Sequence, residues 1–431
     1  MLDFGRSDDP RVQAQLDRLS ALSVPQGRLG LDTIRALMER LGNPHRALPP
    51  VFHVAGTNGK GSVCALLRAM LEAQGYRVHV TTSPHLVRYN ERIRLAGELI
   101  GDGMLADLLE EVLDAGEDLH PSFFEVTIAA AFTAFSRVPA DACVVEVGMG
   151  GRFDATNVLE PDALAACGIA ALGLDHEKFL LAPEEGTPEE PMARIGFEKA
   201  GIAKAGVPLV TLAHGPQPTG TVAAQAQRFG APLVSQGEKW EARAEGGRLA
   251  YRDTAGTLDL PLPALPGAHQ VDNAGLAVAM QRPQGRLAVS AEAMAAGLRT
   301  ARWPARLQRL GPGPLTNGRE TWLDGGHNPS AGAMLAAHFA GASVHLVLGM
   351  LANKNPRALI EPLMDSIASL TVVPVPGHEA HPPQAFGEDA KAAADLADAL
   401  AAIPGDGLPV LIAGSLYLAG EALRLNDELP D

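Results

Sequence analysis

The chain has 431 residues, a formal net charge of −15 at pH 7 and 46% hydrophobic residues. This length exceeds what one hydrophobic core usually supports, so we expect two domains. The acidic balance argues against bulk nucleic-acid binding, and no apolar run is long enough to span a membrane. Three scattered cysteines, Cys64, Cys143 and Cys167, predict reduced core residues of a cytoplasmic protein. The charged N-terminus predicts neither a signal peptide nor a transit peptide.

The first part of the chain alternates between predicted helices and strands. Residues 1–50 are predicted to be helical, and a buried strand begins at Val51. After a glycine loop and a helix, further strands are predicted at the positions 78–82, 142–148 and 163–172. Helices are predicted over 102–137 with an interruption at 121–125, and a polar loop over 88–93. This alternation indicates a mostly parallel sheet.

The pattern changes between about 205 and 265, where short strands are separated by glycine and polar turns. Strands at 206–210, 232–234 and 248–252 predict a small antiparallel addition. Helix returns over 270–300. After Pro304, four predicted strands alternate with four predicted helices: strands 320–323, 344–348, 370–373 and 409–412, and helices from about 330, then 356–367, 387–402 and 415–425.

We therefore expect an α/β protein with two domains. The first, over 1–300, is predicted to contain the mostly parallel sheet of a P-loop-type domain and the small antiparallel addition. The second, over 303–431, is predicted to be a smaller Rossmann-like α/β domain.

The segment VFHVAGTNGKGS, over 51–62, predicts a phosphate site. A buried strand breaks into a glycine loop and then a helix, so backbone N–H groups and the helix dipole converge while Lys60 adds positive charge. The strict P-loop pattern would need glycine at 54 and a hydroxyl at 61. The chain has Val54 and Gly61, and the hydroxyl is displaced to Ser62. An ordinary strand-to-helix turn is the alternative.

The variant AGTNGKGS resembles the ATP loop of the Mur ligase superfamily, and most closely that of the folylpolyglutamate synthase/dihydrofolate synthase family. Further segments are similar to the family over about residues 30–425: TSPHL, EVGMGGRFDATN, LDH, EKAGI, PGAHQVDNA, WPARLQ, LDGGHNP and GSLYL. The resemblance implies an amide ligase that uses ATP and Mg²⁺ to join L-glutamate to dihydropteroate and to folates through an acyl phosphate. A folylpolyglutamate synthase alone, another Mur-type ligase and a nucleotide-dependent switch are the alternatives.

Phosphoryl transfer requires magnesium, which prefers hard oxygen ligands. Glu146 ends an apolar strand, as a metal-linked acid would, although a satisfied polar group at a strand end is the alternative. The resemblance implies four metal ligands: Ser62, Ser83, Glu146 and His176. It also implies a set of catalytic residues: Lys60, Glu146, His176 and Lys199.

The resemblance implies a larger set of nucleotide contacts. These are Thr57, Asn58, Gly59, Lys60, Gly61, Ser62, Asn273, Arg306, Asp324 and His327. Arg306 should contact the ATP phosphates, and a surface arginine near a domain linker is the alternative. Ala305 stands where the family usually has glycine, a change that affects how closely the backbone approaches a ligand.

The predicted site of the pterin-containing substrate has two parts. Ser122, Phe123, Phe124 and Glu125 resemble the family's TFFE, which offers two aromatic faces and an acid. Its presence favours an enzyme that makes dihydrofolate as well as folylpolyglutamates. The alternative is a helix start in which Ser122 is the cap and both phenylalanines are core. The resemblance adds Phe153, Asp154 and Ala155.

Lys199 lies in EKAGI, whose lysine is carbamylated in several members of the family. An ordinary salt-bridged lysine is the alternative. The chain also inserts an acidic, proline-rich segment at 182–191, which cannot be a helix interior. We expect the partners to be dihydropteroate, tetrahydrofolate derivatives and L-glutamate, with no nucleic acid and no membrane, and we expect a monomer.

Overall fold

The computed structural model describes residues 6–22 and 30–430. The predicted helical segment over 1–50 includes 1–5 and 23–29, which lie outside the described residues, as does 431. The chain divides into two compact units. The first comprises Met1–Pro84, Arg88–Ala264 and Gln270–Arg302, and the second His85–Val87, Leu265–His269 and Trp303–Asp431. Within the described ranges, every helix is too short or too polar to cross a membrane.

The first unit contains an eight-stranded sheet. Its strands are β1 Val51–Ala55, β2 Val78–Thr81, β3 Ile93–Leu95, β4 Glu98–Leu99, β5 Ala142–Glu146, β6 Leu164–Ile169, β7 Leu209–Thr211 and β8 Leu233–Ser235. Their spatial order is β4-β3-β2-β5-β1-β6-β7-β8. The six strands from β2 to β8 in this order pair in parallel, and β3 and β4 add an antiparallel edge. The predicted mostly parallel sheet is confirmed.

The helices of the first unit supply the layers that cover this sheet. They are α1 Pro10–Ala21, α2 Asp32–Arg40, α3 Lys60–Ala73, α4 Asp102–Gly116, α5 Phe123–Arg137, α6 Glu177–Leu180, α7 Pro191–Ala200, α8 Pro216–Phe229, α9 Gln270–Gln281 and α10 Ala291–Thr300. One face of α3, with the apolar residues at helical spacing, is buried throughout: Val63, Leu66, Leu67, Met70 and Leu71. Parallel strands covered on both faces are expected to be almost wholly apolar, as β1 and β5 are.

The antiparallel addition is a separate three-stranded sheet. It consists of β9 Trp240–Glu245, β10 Arg248–Asp253 and β11 Gly256–Pro261. The prediction that the strands near 206–210 and 232–234 belong to this addition was wrong, because β7 and β8 extend the parallel sheet. A parallel pair needs a long crossover, and α8 supplies it. Two prolines in the first turn of α8 made this segment look unlike a helix in the sequence. A helix nevertheless tolerates proline well at its first position.

The segment 88–93, predicted to be a loop, forms a 3₁₀ turn at Tyr89–Arg92 and then enters β3. The backbone N–H of Arg88 donates to Glu91 Oε1 at 2.7 Å, which caps this turn. The polar composition of this segment therefore did not reveal the antiparallel strand β3, which pairs with both β2 and β4.

The second unit contains a six-stranded sheet in the order β12-β13-β17-β14-β15-β16. The strands are β12 Gln308–Arg309, β13 Thr321–Asp324, β14 Val344–Leu348, β15 Ile367–Val372, β16 Lys391–Ala392 and β17 Val410–Ala413. Only β12 pairs antiparallel. The helices are α11 Pro329–His338, α12 Arg357–Leu363, α13 Leu396–Ala401 and α14 Leu416–Leu425. The predicted second α/β sheet is confirmed.

The prediction of a helix over 387–402 was wrong for the first half of this segment. Gly387 has a φ of +123°, which is outside the helical region, and β16 follows it. The helix begins only after Asp395, whose side chain accepts a hydrogen bond from the backbone N–H of Asp398 at 2.8 Å. Alanine-rich composition favours helix, but the N-cap sets where this helix begins.

Candidate active site

The loop between β1 and α3 presents free backbone N–H groups. Gly59 has a φ of +85° at the N-cap of α3, a conformation that favours glycine. The N–H groups of Lys60, Gly61 and Ser62 have no intrahelical acceptor, and none meets another acceptor within residues 6–22 and 30–430. Three N–H groups at a helix N-terminus form a site for an anion such as phosphate.

The rest of this loop is anchored to the segment that follows β6. The backbone N–H groups of Thr57 and Asn58 both donate to the carbonyl of Ala171, at 2.8 and 3.1 Å. Thr57 Oγ1 also donates to the Gly173 carbonyl at 2.8 Å and accepts from the Gly173 N–H at 3.0 Å. Thr57 and Asn58 therefore hold the loop in place through their backbone N–H groups and the Thr57 hydroxyl, and their contact with ATP stays a prediction.

Asn273 lies against the loop. A β-carbon at Gly59 would be 2.5 Å from Asn273 Oδ1, so only glycine permits this approach. Asn273 Nδ2 donates to Gln270 Oε1 at 2.9 Å, and Gln270 Nε2 donates to Ser62 Oγ at 3.3 Å. Gln270 was not among the predicted site residues, although its place in PGAHQVDNA would have identified it. This amide chain connects the first turn of α9 to the first turn of α3.

Lys60 supplies the positive charge beside these N–H groups. Its Nζ lies 3.4 Å from the carbonyl oxygen of Thr57. Lys60 has no ion-pair partner among the described residues. The ammonium is therefore available to a phosphate.

Parallel strands bring Ser83 and Glu146 together at the same edge of the sheet as the loop. Ser83 follows β2 and Glu146 ends β5, and these strands are neighbours, with β1 next to β5. The Ser83 N–H donates to Glu146 Oε2 at 3.1 Å, and Glu146 is only 5% exposed. Ligands collect at the carboxyl ends of such strands. A buried carboxylate therefore lies where a nucleotide-bound metal is expected.

His176 follows β6, the strand on the other side of β1. It has a φ of +53° and is the N-cap residue of α6. Its Nε2 lies 3.8 Å from Asp175 Oδ2, and its backbone N–H donates to Asp175 Oδ1 at 2.8 Å. Asp175 was not a predicted site residue, yet it holds the turn that presents the imidazole.

The donor groups at this edge of the sheet suit a Mg²⁺ ion that is shared with substrate phosphates. Within the described ranges, no three His, Cys, Asp or Glu side chains are close enough together to hold a metal ion. Mg²⁺ commonly takes one or two carboxylates and completes its shell with water and substrate phosphates. One carboxylate, Glu146, with hydroxyl groups at the same sheet edge fits Mg²⁺ of this kind.

Lys199 lies in the last turn of α7 and is only 4% exposed. Its Nζ donates to the carbonyl of Gly56 at 2.9 Å, which places the amine beneath the phosphate loop. Burial, together with the nearby charge of Lys60, lowers the pKa of Lys199 to about 7. The neutral, nucleophilic form of the amine is therefore accessible near pH 7.

The segment Ser122 to Glu125 begins α5 with a capping box. Glu125 N–H donates to Ser122 Oγ at 3.2 Å, and Glu125 Oε2 accepts from the Ser122 N–H at 2.7 Å and from Ser122 Oγ at 2.8 Å. The alternative reading of Ser122 as a helix cap thus describes its local role. The carboxylate of Glu125 is engaged in this cap.

The two phenylalanines of this segment are only partly buried. The Phe123 ring packs edge-on against Tyr89, with centroids 5.7 Å apart, and the Arg92 guanidinium lies 5.2 Å from its centroid. The Phe124 ring lies against the backbone of Gly148, where a β-carbon would be 2.4 Å from Phe124 Cζ. Both rings therefore retain exposed area, which a purely core role would not require.

The segment Phe153 to Ala155 turns its acid inward. Asp154 is 5% exposed and accepts hydrogen bonds from the N–H groups of Met149 at 2.8 Å and Thr156 at 3.1 Å. Burial raises the pKa of Asp154, although these hydrogen bonds lower it in part. Ala155 is buried, whereas Phe153 is partly exposed. Asp154 orders the loop, and Phe153 is the side chain available to a substrate.

The predicted residues of the second unit lie around the end of β13. Asp324 is buried and accepts from the N–H groups of Leu307 at 2.8 Å and Gly326 at 2.7 Å. His327 Nδ1 lies 3.2 Å from the Gly325 carbonyl. Asp324 therefore joins two loops, and its contact with nucleotide stays a prediction.

Ala305 adopts a φ of +56° and is fully buried. Ala305 therefore adopts the left-handed backbone conformation that glycine adopts without strain. For alanine, this conformation costs roughly 1–2 kcal/mol. The neighbouring Arg306 is partly exposed, and its guanidinium has no partner in the part of the chain that the structure describes. Arg306 is thus free to bind an anion.

The chain is similar to known proteins in both sequence and structure. No family model matches the chain. The dihydrofolate synthase/folylpolyglutamate synthase of Escherichia coli K12 is 36% identical over 332 residues, which cover 76% of this chain and 73% of the relative. The chain belongs to the dihydrofolate synthase/folylpolyglutamate synthase family. The predicted resemblance is confirmed.

Solved structures of this family share the whole fold. Escherichia coli FolC in complex with DHPP and ADP has a TM-score of 0.84 at 30% identity, with 97% of this chain and 98% of that chain covered. The bifunctional folylpolyglutamate synthase/dihydrofolate synthase of Yersinia pestis, complexed with AMPPNP and Mn, has a TM-score of 0.82 at 28% identity, with 96% and 97% covered. The predicted fold class and the family of ATP-dependent ligases are confirmed.

Proposed function

We propose that this chain is a bifunctional ligase that joins L-glutamate to dihydropteroate and to folates with cleavage of ATP to ADP and phosphate. The observation that carries the proposal is the free N–H array of Lys60, Gly61 and Ser62 beside the buried Glu146–Ser83 pair. Membership of the dihydrofolate synthase/folylpolyglutamate synthase family supports it. In this proposal, residues 1–300 form the ATP-binding domain and 303–431 the C-terminal ligase domain.

The chemistry follows from the poor leaving group of a carboxylate, which would be oxide. Attack of the substrate carboxylate on the γ-phosphorus of ATP forms a C–O–P linkage and releases ADP. The deprotonated amine of glutamate then attacks the acyl carbon, and phosphate leaves as the amide forms. Charge accumulates on the transferring phosphoryl oxygens, so preorganised cations and N–H groups stabilise the transition state.

Each group has a proposed task in this sequence. The N–H groups of 60–62 and the Lys60 ammonium hold the phosphates, and Arg306 adds a second cation. The predicted ligands Ser62, Ser83, Glu146 and His176 would hold Mg²⁺, which when bound offsets charge on the phosphate oxygens. Asn273, through Gly59, keeps the loop in the conformation that presents its N–H groups.

The second ligation, on dihydropteroate, requires a site for a flat pterin. The partly exposed rings of Phe123, Phe124 and Phe153 support such a site. Asp154 would act by ordering the loop of Phe153, as its buried hydrogen bonds indicate. A folylpolyglutamate synthase alone would need only a site for the γ-glutamyl carboxylate.

The remaining expectations are part of the same proposal. The partners are dihydropteroate, tetrahydrofolate derivatives and L-glutamate, and the active form is a monomer. A cytoplasmic location is supported by three cysteines that are buried free thiols: Cys64, Cys143 and Cys167.

A ligation assay tests the proposal against a nucleotide-dependent switch. Purified protein receives ATP, Mg²⁺, L-glutamate and either tetrahydrofolate or dihydropteroate, and both ADP and the glutamylated product are measured. We expect steady-state ADP release over many turnovers to require both the acceptor carboxylate and glutamate. ADP release at the same rate without either substrate would favour the switch.

We also propose that Lys199 is carbamylated. The neutral amine attacks CO₂, a C–N bond forms, and the nitrogen loses a proton to solvent, which leaves a carbamate anion. Burial lowers the pKa of Lys199 to about 7, so the reactive neutral fraction rises from below pH 7 to above it. The EKAGI motif is the second support.

CO₂ depletion is therefore expected to lower ligase activity, with recovery on addition of bicarbonate and faster recovery at pH 8 than at pH 6. A carbamate signal in ¹³C NMR after addition of ¹³C-bicarbonate should appear in the wild type and be absent from Lys199→Arg. Full activity in CO₂-depleted buffer, without such a signal, would show that Lys199 acts unmodified.

A further inference from the structure

The inserted segment 182–191 is anchored to the rest of the first unit by the carboxylate of Glu184. Glu184 accepts hydrogen bonds from Arg152 Nη1 at 3.0 Å and Nη2 at 2.5 Å, and from Arg194 Nη2 at 3.1 Å. The Glu184 side chain is only 14% exposed. These contacts are therefore partly desolvated ion pairs, which hold their geometry better than surface pairs do.

Glu198, the acid of EKAGI, binds the same two arginines. Arg152 donates to it from Nε at 3.1 Å and from Nη2 at 2.8 Å, and Arg194 donates from Nε at 2.9 Å. Glu184, Arg152, Glu198 and Arg194 thus form a closed ring of alternating charges, called here the four-charge ring. Its two positive and two negative charges balance, as partly buried charges require.

The inserted segment also fixes Glu184 from its own side. Thr187 Oγ1 donates to the Glu184 carbonyl at 2.6 Å and accepts a hydrogen bond from Arg194 Nη1. The segment therefore has two attachments to the ring. The inserted segment is therefore an ordered part of this region of the fold.

Arg152 connects the ring to the predicted substrate segment. Its guanidinium carbon lies 4.1 Å from the ring centroid of Phe153 and 4.9 Å from that of Phe197. Its backbone N–H donates to the Glu198 carbonyl at 2.8 Å. A β-carbon at Gly201 would be 2.4 Å from Arg152 Cβ, so this close approach also depends on glycine. The orientation of the Phe153 ring thus depends on the position of the Arg152 guanidinium that packs on it.

We propose that Glu184 is a positioning residue for the pterin-containing substrate. It fixes Arg152, and Arg152 holds the Phe153 ring in the orientation in which it stacks on the pterin. This inference rests on the proposed function, which places Phe153 at that substrate. The insertion is then a part of the substrate site that this chain adds to the family's motifs.

Loss of the Glu184 charge leaves two arginines facing the single carboxylate of Glu198. The unbalanced guanidinium groups repel each other, and Arg152 moves away from its place over Phe153. The phosphate loop receives no side chain of the ring among the described residues, so ATP binding is unaffected.

The test compares Glu184→Gln with Glu185→Gln, a neighbouring exposed acid without a partner among the described residues. We expect Glu184→Gln to raise the KM for dihydropteroate about tenfold, with kcat and the KM for ATP within about twofold of the wild type. Glu185→Gln should match the wild type. Thermal unfolding of each variant reports whether it is folded.

A double variant separates charge balance from simple loss of a contact. Glu184→Gln with Arg194→Gln restores equal numbers of charges, and we expect it to return the KM for dihydropteroate to within about threefold of the wild type. An unchanged KM in Glu184→Gln, or an equal rise of all KM values with a lower kcat, would overturn the inference and leave Glu184 a structural brace. An inactive wild type would instead overturn the proposed function, and this inference with it.

Discussion

Replacement of Lys60 by alanine is expected to lower the kcat of glutamate ligation by about 10³-fold at saturating ATP and Mg²⁺. The Lys60 ammonium lies beside the three free N–H groups at the start of α3, 3.4 Å from the Thr57 carbonyl. Without it, the charge on the transferring phosphoryl group loses a preorganised cation, which N–H dipoles alone do not replace. Steady-state kinetics with coupled detection of ADP measures the change.

Lys239→Ala is the matched control, because Lys239 is exposed in the same unit and has no side-chain partner in the described chain. It should keep the wild-type kcat. A folded Lys60→Ala protein whose kcat stays within about threefold of the wild type would remove Lys60 from phosphoryl transfer.

The second large effect is expected for Glu146→Gln. Glutamine keeps the size of the side chain and an oxygen that accepts from the Ser83 N–H, so the fold should be preserved. The negative charge that would hold Mg²⁺ is lost. We expect kcat to fall by at least about 10²-fold and the Mg²⁺ concentration for half-maximal activity to rise.

Glu98→Gln, at an exposed position of β4 in the same sheet, serves as the control and should leave both quantities unchanged. If Glu146→Gln has the wild-type Mg²⁺ dependence, Glu146 is a satisfied polar group at a strand end, as the alternative interpretation holds. A fall in kcat with normal Mg²⁺ dependence would assign Glu146 a task other than metal binding.

The phosphate loop was predictable because its signal is local. Glycines at a tight turn, a lysine and a following apolar helical face all lie within one short run, and the structure buries that face of α3. Gly75, with a φ of +96°, follows the end of α3. Local steric rules determine these features.

Contacts between residues far apart in the chain were harder to predict from the sequence. The partner of Arg152 in the inserted segment is 32 residues away and its partner in EKAGI is 46 residues away. Neither spacing has a periodic signature, and the i,i+4 spacing of Arg194 and Glu198 was the one local hint. The four-charge ring therefore emerged only from the folded chain.

Strand partners show the same limit. β7 and β8 are three residues each, and their sequences do not reveal whether they pair in parallel or antiparallel fashion. The helix between them decides the question, and the two prolines in its first turn concealed it. By contrast, the serine and glutamate of Ser122 to Glu125 have the spacing of a capping box, and the structure forms that box.

The dihydropteroate arm of the ligation assay tests the central claim most directly. With ATP, Mg²⁺ and L-glutamate, pure protein is expected to convert dihydropteroate to dihydrofolate, with one ADP released for each amide formed. Tetrahydrofolate in place of dihydropteroate is expected to give the glutamylated folate. Product from tetrahydrofolate but none from dihydropteroate would contradict a bifunctional enzyme, and product from neither would contradict the ligase itself.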